Sequence, residues 1–281
     1  MIKVRKPKKM KNEITTPLVE FTFLGQDGFI IQTKDNGFLI DPYLSNYVVD
    51  SGIGSAEVFS REFPAPVCID ELKNIDTVFI THDHADHCDP ETLLPLYQKN
   101  PKIKFICPKP VENHLASLGI SPQQIIIPKV AKVEHLPGLE YYAVPAAHYQ
   151  FDLDASGEDY SYFGFVIKAG EVWIYHAGDT ILYDGMVEQI LRYTSKIDVA
   201  CLPVNGRDGW RERMDMIGNL DPSESLELAL RLKTDVLLPM HNDLFKYNHI
   251  SAAVLADHLD RKAPRQKVHW LQPGEKYFYV K

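Results

Sequence analysis

Cysteine is scarce in this chain, and so are positive charge, flexible linkers and long apolar runs. The 4 cysteines, Cys68, Cys88, Cys107 and Cys201, are scattered with no Cys-x-x-Cys spacing. That pattern argues against a zinc knuckle or a disulfide framework and leaves reduced thiols as the expectation. No stretch is apolar for long enough to span a bilayer. The basic start, with Lys3, Arg5, Lys6, Lys8 and Lys9, lacks the apolar core of a secretion signal. The expectation is a cytoplasmic protein with no membrane partner. Lys and Arg number 30 against 38 Asp and Glu, a formal charge of −8. Such a balance argues against a broad face for extended nucleic acid. No segment rich in Gly and Pro divides the chain, so residues 1–16 read as a basic, flexible arm and 17–281 as a single domain.

What the chain does hold is Thr81-His82-Asp83-His84-Ala85-Asp86-His87, directly after the apolar run Val78-Phe79-Ile80. A strand that stops there hands its last residues to a loop at the sheet edge, where several side chains can converge. Neutral imidazole nitrogen and carboxylate oxygen are the donors that zinc and similar divalent cations take. His82, His84, His87 and Asp86 are therefore candidate metal ligands. Cys88 follows the motif at once and could approach the site, although a packing role is the commoner fate of such a residue.

Alternating and apolar runs predict strands over 18–24, 28–32 and 38–41, with Asp35-Asn36-Gly37 as a turn. Pro42 to about Ile69 lacks periodicity and is long for a connection, which suggests a loop covering the site. Strand 77–80 leads into the His-rich loop, and Asp89-Pro90 caps the helix that follows. Further strands are expected at 104–107, 124–127, 139–144, 162–168, 171–175, 197–204 and 236–240, and two short ones near the end. Helices are expected at 111–118, 186–193 and 251–259. Another runs from the capping signature Asp221-Pro222-Ser223-Glu224 through Leu232.

The pattern His-x-His-x-Asp-His resembles the signature of the metallo-β-lactamase superfamily of hydrolases. The resemblance asks for a further His, a bridging acid and a last His downstream. Val144-Pro145-Ala146-Ala147-His148, Tyr175-His176-Ala177-Gly178-Asp179 and Leu237-Leu238-Pro239-Met240-His241 supply them in order, each ending an apolar run. It implies an α/β (α+β) chain folded as a four-layer αββα sandwich. It also implies two divalent metal ions, zinc or manganese, with iron also accommodated. His82, His84 and His148 would hold one ion, Asp86, His87 and His241 the other, and Asp179 would bridge. A metal-bound hydroxide would be the nucleophile, with Asp86 and Asp179 as the catalytic carboxylates. Asp41, at the end of strand 38–41, is expected to anchor the second ring nitrogen of a ligand His. For His176 the same role and simple packing stay equally open. His114, His135, His249, His258 and His269 fall outside the motifs.

Within the superfamily the chain resembles the L-ascorbate-6-phosphate lactonase family. The resemblance rests on Ile75 to His87, Ile174 to Thr180, Pro203-Val204-Asn205-Gly206-Arg207 and Pro239-Met240-His241-Asn242-Asp243. It is weaker before Ile75, and His148 stands where the lactonases need not have a His. The implied reaction is opening of the lactone of a small, phosphorylated sugar acid. Arg207 offers a planar fork for an anion, with Asn205 and Asn242 as further substrate contacts. Tyr43, Tyr47 and Trp210 are candidate pocket walls. The alternatives are phosphodiester hydrolysis of a small cyclic nucleotide, and a non-catalytic metal-bound sensor or assembly subunit. The expected partner is a small anionic molecule; a homo-oligomer stays open.

Overall fold

The computed structural model describes residues 18–154, 156–157, 159–214 and 216–281, so the arm expected at 1–16 lies outside the described residues. Three apolar segments broken by tight turns form β1 (Leu18–Gly25), β2 (Gly28–Gln32) and β3 (Gly37–Ile40), paired antiparallel in sequence order. The aperiodic stretch after β3 is not a bare loop. It contains two single-turn helices, α1 (Tyr47–Asp50) and α2 (Ala56–Phe59). β4 (Thr77–Phe79), β5 (Lys104–Ile106) and β6 (Ile125–Ile126) then add parallel to β3, joined by the crossover helices α3 (Pro90–Lys99) and α4 (Lys109–Ser117). The Asp89 carboxylate accepts the Glu91 N–H at 2.9 Å, and Pro90 takes the first helical position, where a missing N–H costs nothing.

The second sheet repeats the plan. β7 (Glu134–Leu136), β8 (Leu139–Pro145), β9 (Phe163–Ala169) and β10 (Val172–His176) run antiparallel. After α5 (Met186–Ile190) come β11 (Val199–Pro203), α6 (Gly209–Glu212), α7 (Pro222–Arg231), β12 (Val236–Met240), α8 (Ala252–Lys262) and β13 (Lys267–Val268). Strands β10 to β13 are parallel. Asp221 and Glu224 cap α7 reciprocally, with N–H to carboxylate distances of 2.8 and 2.9 Å. The last strand, β14 (Lys276–Val280), returns to the first sheet and pairs antiparallel with β1. Each sheet thus has 7 strands among the described residues.

The two sheets face each other across an aromatic core. Phe79 of β4 meets Tyr141 of β8 and Phe165 of β9 edge-on, at ring distances of 5.3 and 5.1 Å. Each such side chain, fully withdrawn from water, contributes about 1.5–3 kcal/mol. Leu93, Leu96, Val111 and Leu115 seat α3 and α4 on the outer face of the first sheet, while Met186, Ile190, Leu228 and Leu232 cover the second. The result is the four-layer αββα sandwich. Its parallel strands β3, β4, β10, β11 and β12 carry the candidate residues just beyond their C-terminal ends, where open α/β sheets bind ligands. No helix among the described residues is long and apolar enough to cross a membrane.

Candidate metal centre

Asp41 organises one wall of the site. It leaves β3 with a positive φ of 41°, which turns its carboxylate towards the end of β4. One oxygen accepts the Thr81 N–H at 2.8 Å. The other accepts the Thr81 hydroxyl at 2.5 Å and lies 2.9 Å from His87 Nδ1. The His87 Nδ1–H is thereby committed to Asp41, and Nε2 is left with its lone pair facing inward, 3.7 Å from both Asp86 Oδ2 and Asp179 Oδ1. His82 Nδ1 is 2.9 Å from the Thr81 hydroxyl, and its Nε2 is 2.9 Å from His84 Nδ1. His148 Nε2 lies 3.7 Å from Asp179 Oδ2, and His241 Nε2 lies 3.2 Å from Asp179 Oδ1. Asp179 thus stands between the two groups of imidazoles.

Donor atoms of His82, His84 and Asp179 lie within 4.8 Å of one another, and so do those of Asp86, His87 and His241. Among the described residues, His87 Nε2 and Asp179 Oδ1 are buried without a hydrogen-bond partner. Orphaned lone pairs converging in a space sealed from water are costly unless something positive fills it. Electrostatics point the same way. Burial lowers the His148 pKa to about 4, so its nitrogen is neutral and free to donate a lone pair. Burial opposes a charge on His241, yet Asp179 lifts it to about 9. Burial likewise pushes Asp179 up, but His241 and His87 outweigh it and hold the carboxyl well below its usual range. The donor set therefore fits divalent cations, and all seven expected ligands (His82, His84, Asp86, His87, His148, Asp179 and His241) come together here.

Above the cage is a cavity of about 440 Å³, floored by His84, Asp86, His148, Asp179 and His241. Its walls come from the covering segment around α1 and α2, from Met214, Met216 and Ile217, and from Phe245 and Asn248. Among the described residues that line it, none is Lys or Arg. The long segment after Pro42 does cover the site, but with Val48, Ile53, Val58 and Phe59 rather than with the expected Tyr43 and Tyr47. Tyr43 is buried beneath them, and the half-exposed Trp210 packs on Tyr247 at 5.1 Å.

Arg207 departs from its expected role. Its guanidinium lies on the Glu224 carboxylate at 2.7 and 2.5 Å and donates to the Asn219 carbonyl at 2.8 Å. The cap of α7 has taken the fork, and Arg207 does not line the cavity. Asn205 is buried and donates to Asn248 Oδ1 at 3.4 Å, so it acts on the cavity through Asn248. Asn242 is buried and, with Asp243, lines a separate small depression. His176 faces the backbone: its Nδ1 accepts the Gly178 N–H at 3.2 Å, so Nε2 donates to the Asp27 carbonyl at 2.8 Å. Cys88 is buried in the packing against α3 and α4, where burial raises its thiol pKa.

Three residues at the site were not expected. Gln26, at a positive φ of 54° in the β1–β2 turn, reaches Asp86 Oδ2 at 2.8 Å and His241 Nε2 at 3.1 Å. Asp27 beside it shares a 4.8 Å neighbourhood with His87 and Asp179. The Tyr162 hydroxyl lies 3.2 Å from His84 Nε2, which anchors the second nitrogen of that ring. The signal for the first two was a charged and an amide residue in a turn between two apolar strands. Tyr162 carried no signal, because a Tyr at the start of a strand is ordinary.

Residues 36–242 match the Beta-lactamase superfamily domain. A metal-dependent hydrolase of Caldivirga maquilingensis is 27% identical over 253 residues, 90% of this chain and 95% of the relative. Igni18, a metallo hydrolase from the hyperthermophilic archaeon Ignicoccus hospitalis, has a similar structure, with a TM-score of 0.70 at 23% identity over 93% of this chain and 98% of its own. The isothiocyanate hydrolase from Delia radicum gut bacteria gives a TM-score of 0.72 at 21% identity, covering 93% of this chain and 99% of that one. At these identities the two structures speak for the fold alone.

Proposed function

The chain belongs to the Beta-lactamase superfamily domain family and is a metal-dependent hydrolase, and we propose that it opens a lactone, or a comparable small ester, with an uncharged and largely apolar body. The observation that carries this reading is the cavity lining. Val48, Ile53, Val58, Phe59, Met216 and Phe245 surround the approach to the cage, and among the described residues that line it there is no Lys or Arg. A phosphorylated sugar acid or a cyclic nucleotide would bring an anion past these walls with no side-chain cation to receive it, so neither is favoured.

We take the site to hold two divalent cations, zinc, manganese or iron, with His82, His84 and His148 on one, Asp86, His87 and His241 on the other, and Asp179 between. Such cations supply an acidified water and polarise a carbonyl oxygen. The side chains do the rest. The apolar walls hold the alkyl part of the substrate and exclude bulk water. Asn205 holds Asn248 Oδ1, which leaves the Asn248 Nδ2–H to steady the substrate's carbonyl oxygen. Asp86 lines the cavity with one oxygen tethered by Gln26. It takes the proton from the attacking water and returns it to the departing alkoxide, so one C–O bond forms, one breaks and the ring opens to a hydroxy acid.

The test is turnover by metal-loaded protein of three substrate classes: alkyl-substituted lactones and sugar-phosphate lactones, followed by proton release, and an aryl isothiocyanate, followed by loss of its ultraviolet absorbance. Turnover of alkyl lactones, abolished by His84→Ala, is the expected result. Faster turnover of the phosphorylated lactones would refute the apolar reading. Turnover of the isothiocyanate alone would move the chemistry away from esters.

A further inference from the structure

We infer that Asp27 is an additional ligand of the second cation position, making it a site of three carboxylates (Asp27, Asp86, Asp179) and two imidazoles (His87, His241). This rests on the metal-dependent reading above and adds to it a residue that no motif marks.

The observation is one of unpaid hydrogen bonding. A two-residue hairpin turn is normally a surface feature with solvated side chains, yet Gln26 and Asp27 are both 0% exposed. Both Asp27 carboxyl oxygens are buried with no hydrogen-bond partner among the described residues. A buried carboxylate needs a donor or a cation, and a buried carboxylic acid needs an acceptor for its proton. Asp27 has none of these among the described residues. What it has within 4.8 Å are the donor atoms of His87 and Asp179; of these His87 Nε2 has no hydrogen-bond partner among the described residues, and Asp179 Oδ1 has only the His241 imidazole, at 3.2 Å. Two carboxylates and an imidazole converging with unsatisfied donor atoms describe a cation position.

The backbone holds this arrangement deliberately. His176 donates to the Asp27 carbonyl at 2.8 Å, and Asp243 accepts the Gln26 N–H at 3.0 Å. The turn also sits close against the end of β3, because a Cβ on Gly28 would lie 3.2 Å from the Asp41 carbonyl oxygen. The turn that carries Asp27 is therefore fixed by His176 at the end of β10 and by Asp243 and Asp41 just beyond the ends of β12 and β3. An oxygen-rich set of five protein donors departs from the four-coordinate preference of zinc and suits manganese or iron(II), which accept more oxygen ligands.

The experiment titrates the metal-free full chain with Mn²⁺ alone, following free Mn²⁺ by its electron paramagnetic resonance signal, and repeats it with Asp27→Asn, Asp27→Ala and His84→Ala. Urea unfolding of each metal-free protein runs alongside. Wild type is expected to take two equivalents. In Asp27→Asn one equivalent should bind as before and the other at least about tenfold more weakly, while the metal-free variant is as stable as wild type or more so, since an unpaired buried carboxyl has gone. Asp27→Ala must weaken the same equivalent. His84→Ala must weaken the opposite one. Two equivalents held by both Asp27 variants at wild-type affinity would overturn the inference and leave the hydrolase reading standing. A metal-free Asp27→Asn that is less stable, with unchanged Mn²⁺ binding, would overturn it in favour of a structural role. Wild type that binds no Mn²⁺, Zn²⁺ or Fe²⁺ would overturn both.

Discussion

Replacing Asp41 by Asn exchanges one oxygen for an amide nitrogen, and it should cost the protein a metal without costing it the fold. In the native site the carboxylate accepts from the Thr81 N–H and the Thr81 hydroxyl, and it faces His87 Nδ1 at 2.9 Å. That contact fixes the proton on Nδ1 and leaves Nε2 to donate its lone pair. Asn can still accept the Thr81 N–H through its oxygen, and the hydroxyl can rotate to accept from the new NH2. His87 has no such freedom. Either its Nδ1–H confronts an N–H in a buried space, at about 1–3 kcal/mol for the unmade bond, or the proton moves to Nε2 and blocks the lone pair. Both routes weaken cation binding at that position, by roughly five- to a hundredfold. Competition with a chelating dye reads the affinity, and urea unfolding of the metal-free protein reads stability. Asp41→Ala leaves three donors unpaired and should lower stability by about 3 kcal/mol or more. The reasoning fails if Asp41→Asn binds both equivalents with native affinity.

Other substitutions probe separate parts of the argument. Gly178→Ala puts a Cβ 2.8 Å from Thr81 Cβ and 3.0 Å from the Phe163 carbonyl oxygen at a φ of +57°; a loss of about 2–4 kcal/mol is expected in urea melts, and a loss under 1 kcal/mol would show that the neighbours yield. Arg207→Ala should change stability by no more than about 1 kcal/mol and leave KM unchanged, whereas a tenfold rise in KM would restore Arg207 to the substrate. Burial pushes the pKa of Asp198 up, but Lys281, the Trp173 N–H and Lys196 outweigh it and hold the carboxyl below its ordinary value. A depressed folded value means stability that is present above the unfolded pKa of about 3.9 and is lost as pH falls through the folded one. Asp198→Asn should therefore be less stable at neutral pH and show a flatter acid limb in unfolding midpoints; an unchanged limb would dismiss the network.

Much of this was legible because the residues involved obey local rules. The seven expected ligands sit in motifs that end apolar strands, and the Asp89-Pro90 and Asp221-Pro222 caps announce their helices through backbone chemistry alone. Strand β12 ran over the predicted residues without change. The failures are equally physical. Arg207 looked like an anion fork because its fork was visible and its partner was not: Glu224 lies seventeen residues on, and the capping signature had already assigned it a task. β7 and α6 are short enough that tertiary packing rather than periodicity makes them. Gln26 and Asp27 read as an ordinary polar turn, since nothing in a sequence says that a hairpin tip will be buried against the far sheet. The apolar character of the cavity was hidden for a related reason: Val48, Phe59, Met216 and Phe245 come from segments with no shared period and meet only over the cage.

The pairing of β14 with β1 has a consequence for how the protein is made. Residues Leu18 to Thr22 find their partners in Lys276 to Val280, so one edge of the first sheet stays open until the ribosome has made β14. At about 5–20 residues per second, that is on the order of ten seconds or more. Meanwhile Phe21 and Phe23, which end up fully withdrawn from water, border an unpaired strand that can recruit the wrong neighbour. Strands β8 to β12 need no such wait, being close in sequence and completed well before β14 emerges. Strands β2 to β6 are as local and emerge earlier still, so the edge that β1 shares with β14 should be the part of the first sheet that closes late. The outer edge of the hairpin bearing Gln26 and Asp27 would then be secured only with β14, well after the motif that first gave the site away has been made.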